Sequence, residues 1–217
     1  MGKINQGILD GFKGKVGTVV GFYWKGKPVM RGYKRFFKDA HSEAQMVVRL
    51  RFAAINSLAV AFKSAADLGF NHRAASHGNT ELNNFVQLNW DAITADNTAA
   101  VDVEYSDLVV SYGSLPQVHF SPASYQTPQT VEANFAAIGE ASGASDSDRV
   151  YLFVYNPSQN IGILSDGALR SSQKVTATLP ASWSGESVHV WGFAVGGAEF
   201  NKGVASHSAY LGEGIIG

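Results

Sequence analysis

Apolar and polar positions alternate near the start of the chain in the pattern of a β-hairpin. Residues 16–24 (VGTVVGFYW) divide into two alternating sets, which is the period of a strand. One set is Val16, Thr18, Val20, Phe22 and Trp24, and the other is Gly17, Val19, Gly21 and Tyr23. Lys25-Gly26 predicts a tight turn, because glycine accepts a positive φ angle. Pro28 follows this turn and has no backbone N–H, so the second strand either lies at the edge of a sheet or starts after Pro28.

The pattern then changes to helical spacing. Ser42 followed by Gln45 is typical of a capping box, and the apolar residues after it predict one helix of about 24 residues ending near Gly69. A second helix is predicted to begin after Thr80 as N-cap. The segment NHRAASHGN, residues 71–79, is predicted to be the loop between them.

Beyond residue 101 the chain consists of short strand-like runs separated by Gly, Pro, Ser and Asn, which is typical of a β-sandwich. In residues 150–155 and 188–195 the side chains at odd positions and those at even positions are both mostly apolar. Because alternate residues of a strand point to opposite faces, these strands are predicted to be buried on both faces. The predicted fold is α+β: an N-terminal β-hairpin and two helices in a basic region, residues 1–98, followed by an antiparallel β-sandwich, Ig-like or jelly-roll-like, in residues 99–217.

Composition indicates a globular chain of 217 residues with 45% hydrophobic and 16% charged residues. Cysteine is absent, which excludes disulfides and thiolate chemistry. No apolar run approaches the 18 residues typical of a membrane span, and the N-terminus lacks the apolar stretch of a signal peptide. We therefore expect the protein to be synthesised in the cytoplasm without a signal peptide and to have no membrane partner. Its final location stays open, with the extracellular space and a virion among the alternatives.

The net charge of −1 hides a strong asymmetry along the chain. Residues 1–75 carry thirteen basic against four acidic side chains, a net charge of +9, whereas residues 76–217 carry four against fourteen, a net charge of −10. Such asymmetry favours an interaction surface, either for a polyanion or for the acidic part of another copy. The alternative is that the two parts neutralise each other within one molecule.

The chemical motifs that would indicate an enzyme are incomplete. Gly14-Lys15 precedes a strand, unlike the P-loop, whose lysine opens a helix. No G-x-S-x-G nucleophile elbow occurs. His72 and His77 are five residues apart rather than on one helical face, and Asp146 and Asp148 lack the remaining ligands of a calcium loop. We expect no enzymatic activity, no cofactor and no metal, and the sequence identifies no small-molecule substrate.

The chain also resembles a known family. The motif Gly14 to Gly21 (GKVGTVVG), the helix segment SEAQMVVRLRFAAI and the ending SHSAYLG are similar to an uncharacterised family common in Bacteroidota, about 200 residues long, with the signatures G-K-V-G-x-V-V-G and S-x-S-x-Y-x-G. Similar N-termini occur in phage and prophage proteins. The resemblance implies no activity and favours mobile elements or self-assembly.

Two non-enzymatic functions remain. The favoured hypothesis is a structural protein that forms homo-oligomers, as a filament or particle, with the hairpin as an assembly edge; Gly17 and Gly21 on one strand face would allow close approach. The alternative is a nucleic-acid-binding or virion-associated protein, because basic and aromatic side chains interleave on the hairpin. The predicted assembly or polyanion-binding surface comprises Lys13, Lys15, Tyr23, Trp24, Lys25, Lys27, Arg31, Lys34 and Arg35.

The same hypothesis names the opposing surface and a tail contact. The acidic counter-surface comprises Asp102, Glu104, Asp107, Glu132, Asp146 and Asp148. Ile215 and Ile216 near the C-terminus either fill a groove on the next subunit or pack back on their own sandwich.

Overall fold

The computed structural model describes residues 3–4, 11–33, 36, 39, 41–96, 100–126, 129–136 and 143–217. The chain forms two compact units, Met1–Ser42 and Glu43–Gly217, called here the first and second unit. The predicted boundary between residues 98 and 99 lies outside the described residues.

The described residues of the first unit form an antiparallel sheet of four strands in sequential order. The strands are β1 (Lys3–Ile4), β2 (Phe12–Val16), β3 (Val19–Trp24) and β4 (Lys27–Gly32). Lys25 and Gly26 join β3 to β4 with φ angles of 47° and 78°, the left-handed pair that a two-residue hairpin turn requires. The predicted hairpin and its turn are therefore confirmed.

The prediction of one continuous strand from residue 16 to residue 24 is wrong. Gly17 has a φ angle of 58° and stands in a turn with Thr18 that folds β2 onto β3. Only Gly21 of the predicted glycine pair has a close neighbour. A Cβ atom at Gly21 would lie 2.3 Å from the carbonyl oxygen of Phe12, so this glycine lets β2 close onto β3 within the same sheet.

Four helices occur in the part of the second unit that the structure describes, two more than the sequence pattern predicts. They are α1 (Glu43–Ala61), α2 (Lys63–Gly69), α3 (Asn71–His77) and α4 (Glu81–Leu88). Phe62 separates α1 from α2, so the predicted single helix is broken. The predicted loop forms α3, whose only buried side chain is Ala74; it therefore lacks the apolar periodicity by which a helix is recognised.

The start of α4 agrees with the sequence prediction. The hydroxyl of Thr80 accepts a hydrogen bond from the backbone N–H of Asn83, 3.2 Å away. This bond satisfies one of the free N–H groups in the first helical turn.

The strands that the structure describes in the second unit are β5 (Ile93–Ala95), β6 (Val101–Val103), β7 (Ser124–Gln126), β8 (Thr130–Asn134), β9 (Arg149–Asn156), β10 (Ile161–Leu164), β11 (Ala168–Leu169), β12 (Lys174–Thr178), β13 (Ser187–Val195) and β14 (Ala209–Ile215). These strands pair antiparallel with one another. A five-stranded sheet has the order β10-β9-β13-β14 with β11 also on β9, a three-stranded sheet has the order β12-β8-β7, and β5 pairs with β6.

The two larger sheets share an apolar core, and helices cover the outer face of the larger one. Leu152 and Val154 of β9 face the β8–β12 side, where they form one cluster with Val131 and Val175. The opposite face of β9, with Phe153, belongs to a second cluster that includes the helical residues. The α+β class and the burial of β9 and β13 on both faces are confirmed, with sandwich-like packing of the sheets.

α1 is long and apolar enough to cross a membrane by length and composition alone. Its C-terminal half nevertheless packs in the core of the second unit through Ile55, Leu58 and Ala59. Arg51 further holds the helix, because its guanidinium stacks on the ring of Trp90 at 4.4 Å and bonds to the carbonyl oxygen of the same residue. α1 therefore packs in the core only through its C-terminal half, whereas Met46, Val48, Phe52 and Val60 form an exposed apolar outer face.

Candidate assembly surfaces

The strand register places three basic side chains on one face of the first unit. Lys15 pairs with Val20, which pairs with Arg31, and directly paired residues project to the same side of a sheet. Lys27 lies four residues before Arg31 on β4, so it shares that face. We call this surface, with Trp24 and Tyr33, the basic face.

The basic face is open to solvent. All six residues of β4 are exposed, and the side chain of Trp24, paired with Lys27, is 48% exposed. β4 pairs with β3 on one side, and no other strand in the described part of the chain pairs with it. Of the two alternatives predicted for the Pro28 strand, the edge position is the one observed, and its free edge can accept another strand.

The positive charges of this face are not neutralised by described residues. The Nζ atom of Lys15 lies 3.6 Å from the ring centroid of Tyr33. Neither Lys27 nor Arg31 of this face, nor Lys13 of β2, forms an ion pair with another residue that the structure describes. Lys34 and Arg35, also predicted for this surface, lie outside the described residues.

Tyr23 belongs to the opposite face of the sheet. It pairs with Pro28, and its hydroxyl donates a hydrogen bond to the carbonyl oxygen of Gly11 at 3.1 Å. The predicted set of basic and aromatic residues is therefore divided between two faces, because neighbouring residues of a strand point to opposite sides.

Four exposed carboxylates lie around one part of the second unit. Asp102, Glu104 and Asp107 follow one another on β6 and the 3-10 turn after it. This turn packs against β14, which carries Glu213, a residue that the sequence prediction missed. Burial raises the pKa of Tyr105, and the carboxylates of Asp102 and Glu213 raise it further, so these two carboxylates act on a common site. We call these four acidic residues the acidic rim.

The other predicted acidic residues have different surroundings. Asp146 is exposed, whereas Glu132 is half-buried and its carboxylate lies 2.8 Å from the Nζ atom of Lys174. Asp148 is completely buried and forms an ion pair with Arg170 at 3.5 Å. The prediction of Asp148 as a surface counter-charge is wrong, because its charge is satisfied inside the second unit.

The two isoleucines near the C-terminus separate as strand neighbours do. Ile215 is 67% exposed, whereas Ile216 is 1% exposed and lies in the core between the two sheets. The backbone of Ile216 donates to the carbonyl of Glu186 and accepts from the N–H of Gly185. Of the two alternatives predicted for Ile216, packing on its own sandwich is the one observed.

A buried histidine lies beneath the acidic rim. His189 is 7% exposed, its ring stacks on Tyr105 with centroids 4.0 Å apart, and its Nδ1 lies 2.8 Å from the hydroxyl of Tyr210. Burial lowers the pKa of His189, while the nearby carboxylate of Glu213 acts in the opposite direction. Protonation of this imidazole is therefore unfavourable in the folded state.

We expect acid to destabilise the second unit partly through His189. Its pKa in the folded state is below the ordinary 6.5, so below about pH 6.5 the unfolded chain binds more protons and the free energy of unfolding falls as the pH falls. Thermal unfolding between pH 8 and pH 5 should show a shallower loss of Tm in His189→Gln than in the parent. His119→Gln, a change at an exposed histidine, is the control; equal slopes for all three proteins would contradict the expectation.

No curated protein sequence matches the chain. The chain belongs to DUF6266, a family of unknown function, whose profile matches residues 11–212. Membership agrees with the expected uncharacterised family of about 200 residues and assigns no activity.

Proposed function

We propose that the chain is a non-enzymatic structural protein that assembles by docking its first unit onto the second unit of another copy. Membership of DUF6266 assigns no activity, so the proposal is argued from the distribution of charged residues. The observation that carries the proposal is the charge of the two units. Residues 1–42 have nine basic and two acidic side chains, a net charge of +7, and residues 43–217 have eight and sixteen, a net charge of −8. The division between the compact units therefore separates a net positive unit from a net negative unit.

The basic face and the acidic rim are the proposed contact surfaces. Lys27 and Arg31 are exposed on an edge strand without carboxylate partners among the described residues, and Asp102 and Glu104 are exposed on the second unit. Complementary charge steers association and suppresses wrong partners. Because the two surfaces differ, each copy can bind one neighbour through each of them, and such head-to-tail contacts produce filaments or rings.

Ion pairs alone are too weak to hold this assembly. An exposed pair contributes about 0.2–1 kcal/mol, so three pairs contribute at most about 3 kcal/mol, which is less than the roughly 4 kcal/mol of a millimolar complex. Apolar burial must therefore supply the rest. Trp24 and Val29 on the basic face are 48% and 36% exposed, and covering them contributes about 25 cal/mol for each Å² of apolar surface.

The first test measures how the molar mass of the protein in solution depends on salt concentration, by size-exclusion chromatography with light scattering. At about 50 mM NaCl the average mass should rise with protein concentration, and at about 500 mM NaCl it should fall towards that of one chain, because salt screens exposed charges. The same runs with a single-stranded oligonucleotide test the alternative function. A chain that stays monomeric and shifts only with the oligonucleotide would replace this proposal by nucleic-acid binding.

Charge reversal on each surface gives a sharper test. Lys27→Glu with Arg31→Glu should abolish assembly, and so should Asp102→Lys with Glu104→Lys, because each places like charges in contact. An equimolar mixture of the two double variants should assemble again, since their reversed surfaces complement each other. Failure of the mixture, or normal assembly of either double variant alone, would contradict the proposed pair of surfaces.

A matched control separates these effects from net charge. Lys202 is exposed in the second unit, and Lys202→Glu should leave assembly unchanged. A filament or particle subunit encoded by a mobile element would fit this mode of assembly and the resemblance to phage and prophage N-termini.

A further inference from the structure

A polar cleft of about 410 Å³ opens on the second unit, away from the residues used above. α3 lines one side with His72, Arg73 and His77, and Tyr112 and His207 line the other side. The remaining lining residues are Ser76, Gly113 and Ser114. No carboxylate is among them, so the cleft presents imidazoles, hydroxyls and one guanidinium.

Arg73 is held in position by a buried amide. Its Nε donates to Oδ1 of Asn84 at 3.3 Å, and Asn84 is completely buried, with its own Nδ2 donating to the carbonyl of Thr80 at 3.1 Å. The guanidinium also lies 4.8 Å from the ring centroid of Tyr112. The stacking and the Nε bond together fix the plane of the guanidinium.

The outer edge of this guanidinium is available to a ligand. The Nη atoms of Arg73 form neither a hydrogen bond nor an ion pair with any residue that the structure describes. Two parallel N–H groups in a fixed plane match the two oxygens of a phosphate or carboxylate. Arg170 shows the contrast, because its Nη atoms are directed at Asp148 and at the carbonyl oxygen of Pro116.

The three histidines do not indicate a metal site. The described residues contain no group of three His, Asp or Glu side chains placed to hold a metal ion. His207 instead packs edge-on against Tyr112, with centroids 4.3 Å apart. The ring nitrogens of His72 and His207 can donate hydrogen bonds to an anion that Arg73 holds, whereas Nδ1 of His77 already lies 3.1 Å from the carbonyl oxygen of Arg73 and 2.9 Å from the hydroxyl of Ser76.

We infer that the cleft binds the oxyanion group of a small ligand, a phosphate or a carboxylate, with Arg73 as its bidentate anchor and Asn84 as the residue that positions Arg73. This site is independent of the proposed assembly, which uses the basic face and the acidic rim.

The test is titration of the full chain with inorganic phosphate and, separately, with succinate, at constant ionic strength and followed by NMR of the histidine side chains. Saturable shifts of His72, His77 or His207 are expected for at least one anion, and the anion that saturates first identifies the ligand class. Arg73→Gln should raise the dissociation constant at least about tenfold, which is about 1.4 kcal/mol. Arg73→Lys should weaken binding less than Arg73→Gln, because lysine keeps the positive charge but lacks the two parallel N–H groups of the guanidinium.

Two further variants keep the inference falsifiable. Asn84→Asp gives Arg73 an internal carboxylate that competes with the ligand, so it should weaken binding. Because this variant also loses the donor to the Thr80 carbonyl, thermal unfolding is measured on the same sample to show that the chain is folded at the titration temperature. Arg149→Gln removes an exposed arginine of β9 and should leave binding unchanged. Absence of saturation with both anions, or equal loss of binding in Arg149→Gln and Arg73→Gln, would overturn the inference.

Discussion

Asp148→Ala is expected to lower the free energy of unfolding by about 3–5 kcal/mol, because it leaves the buried charge of Arg170 without its partner. Both side chains are inside the second unit, at 0% and 5% exposure, and burial already lowers the pKa of Arg170 against the opposing effect of Asp148. The carboxylate also accepts from the N–H groups of Ser145 and Gly197. These donors would lose their acceptor as well.

Thermal unfolding measures this effect directly. At about 2–4 °C for each kcal/mol in a chain of this size, Tm should fall by roughly 6–20 °C. Asp146→Ala removes the same group two residues earlier, at an exposed position, and should change stability by less than about 0.5 kcal/mol. Equal losses in the two variants would show that the carboxylate of Asp148 does not stabilise the buried pair.

Phe62→Ala should lower the free energy of unfolding by a similar amount, about 3–5 kcal/mol. Phe62 is completely buried between helices and sheet, and its ring centroid lies 4.6 Å from that of Phe153 and 5.3 Å from those of Phe85 and Trp191. Truncation removes apolar contact on several sides at once and leaves a cavity that neighbouring rings cannot fill without leaving their rotamers.

Urea unfolding followed by tryptophan fluorescence tests this prediction, since Trp191 lies in the same cluster. The midpoint should fall strongly in Phe62→Ala and less in Phe62→Leu, which keeps most of the volume. Phe200→Ala, a change at a side chain that is 70% exposed, is the control. If Phe62→Ala unfolds at the same urea concentration as Phe200→Ala, the helices do not depend on this contact with the sheet.

These two variants also mark the difference between folding and assembly. Asp148 and Phe62 lie in the interior of the second unit, so their replacement should reduce assembly only by unfolding the chain. Arg31 and Lys27 are exposed, so their reversal should remove assembly while the free energy of unfolding stays within about 1 kcal/mol of the parent's. Measuring Tm and the molar mass of the assembly on the same samples separates loss of assembly by unfolding from loss of assembly by a changed surface.

The sequence by itself determined the features that depend on residues a few positions apart. The Lys25-Gly26 turn, the Thr80 cap and the double apolar alternation of β9 were all predicted and are present. Each follows from local backbone geometry or from the two-residue period of a strand. The opposite charges of the two ends of the chain are also a property of composition alone.

Only the tertiary structure decided which charged and apolar side chains remain at the surface. Asp146 and Asp148 have the same local pattern, yet one is exposed and the other pairs with Arg170 inside the fold. The alignment of Arg73 by Asn84 and Tyr112 likewise joins residues that are distant in the chain. The periodicity of the sequence indicates which side of a helix or strand is apolar. Whether a given side chain is buried or paired depends on which residues of a distant segment pack against that side.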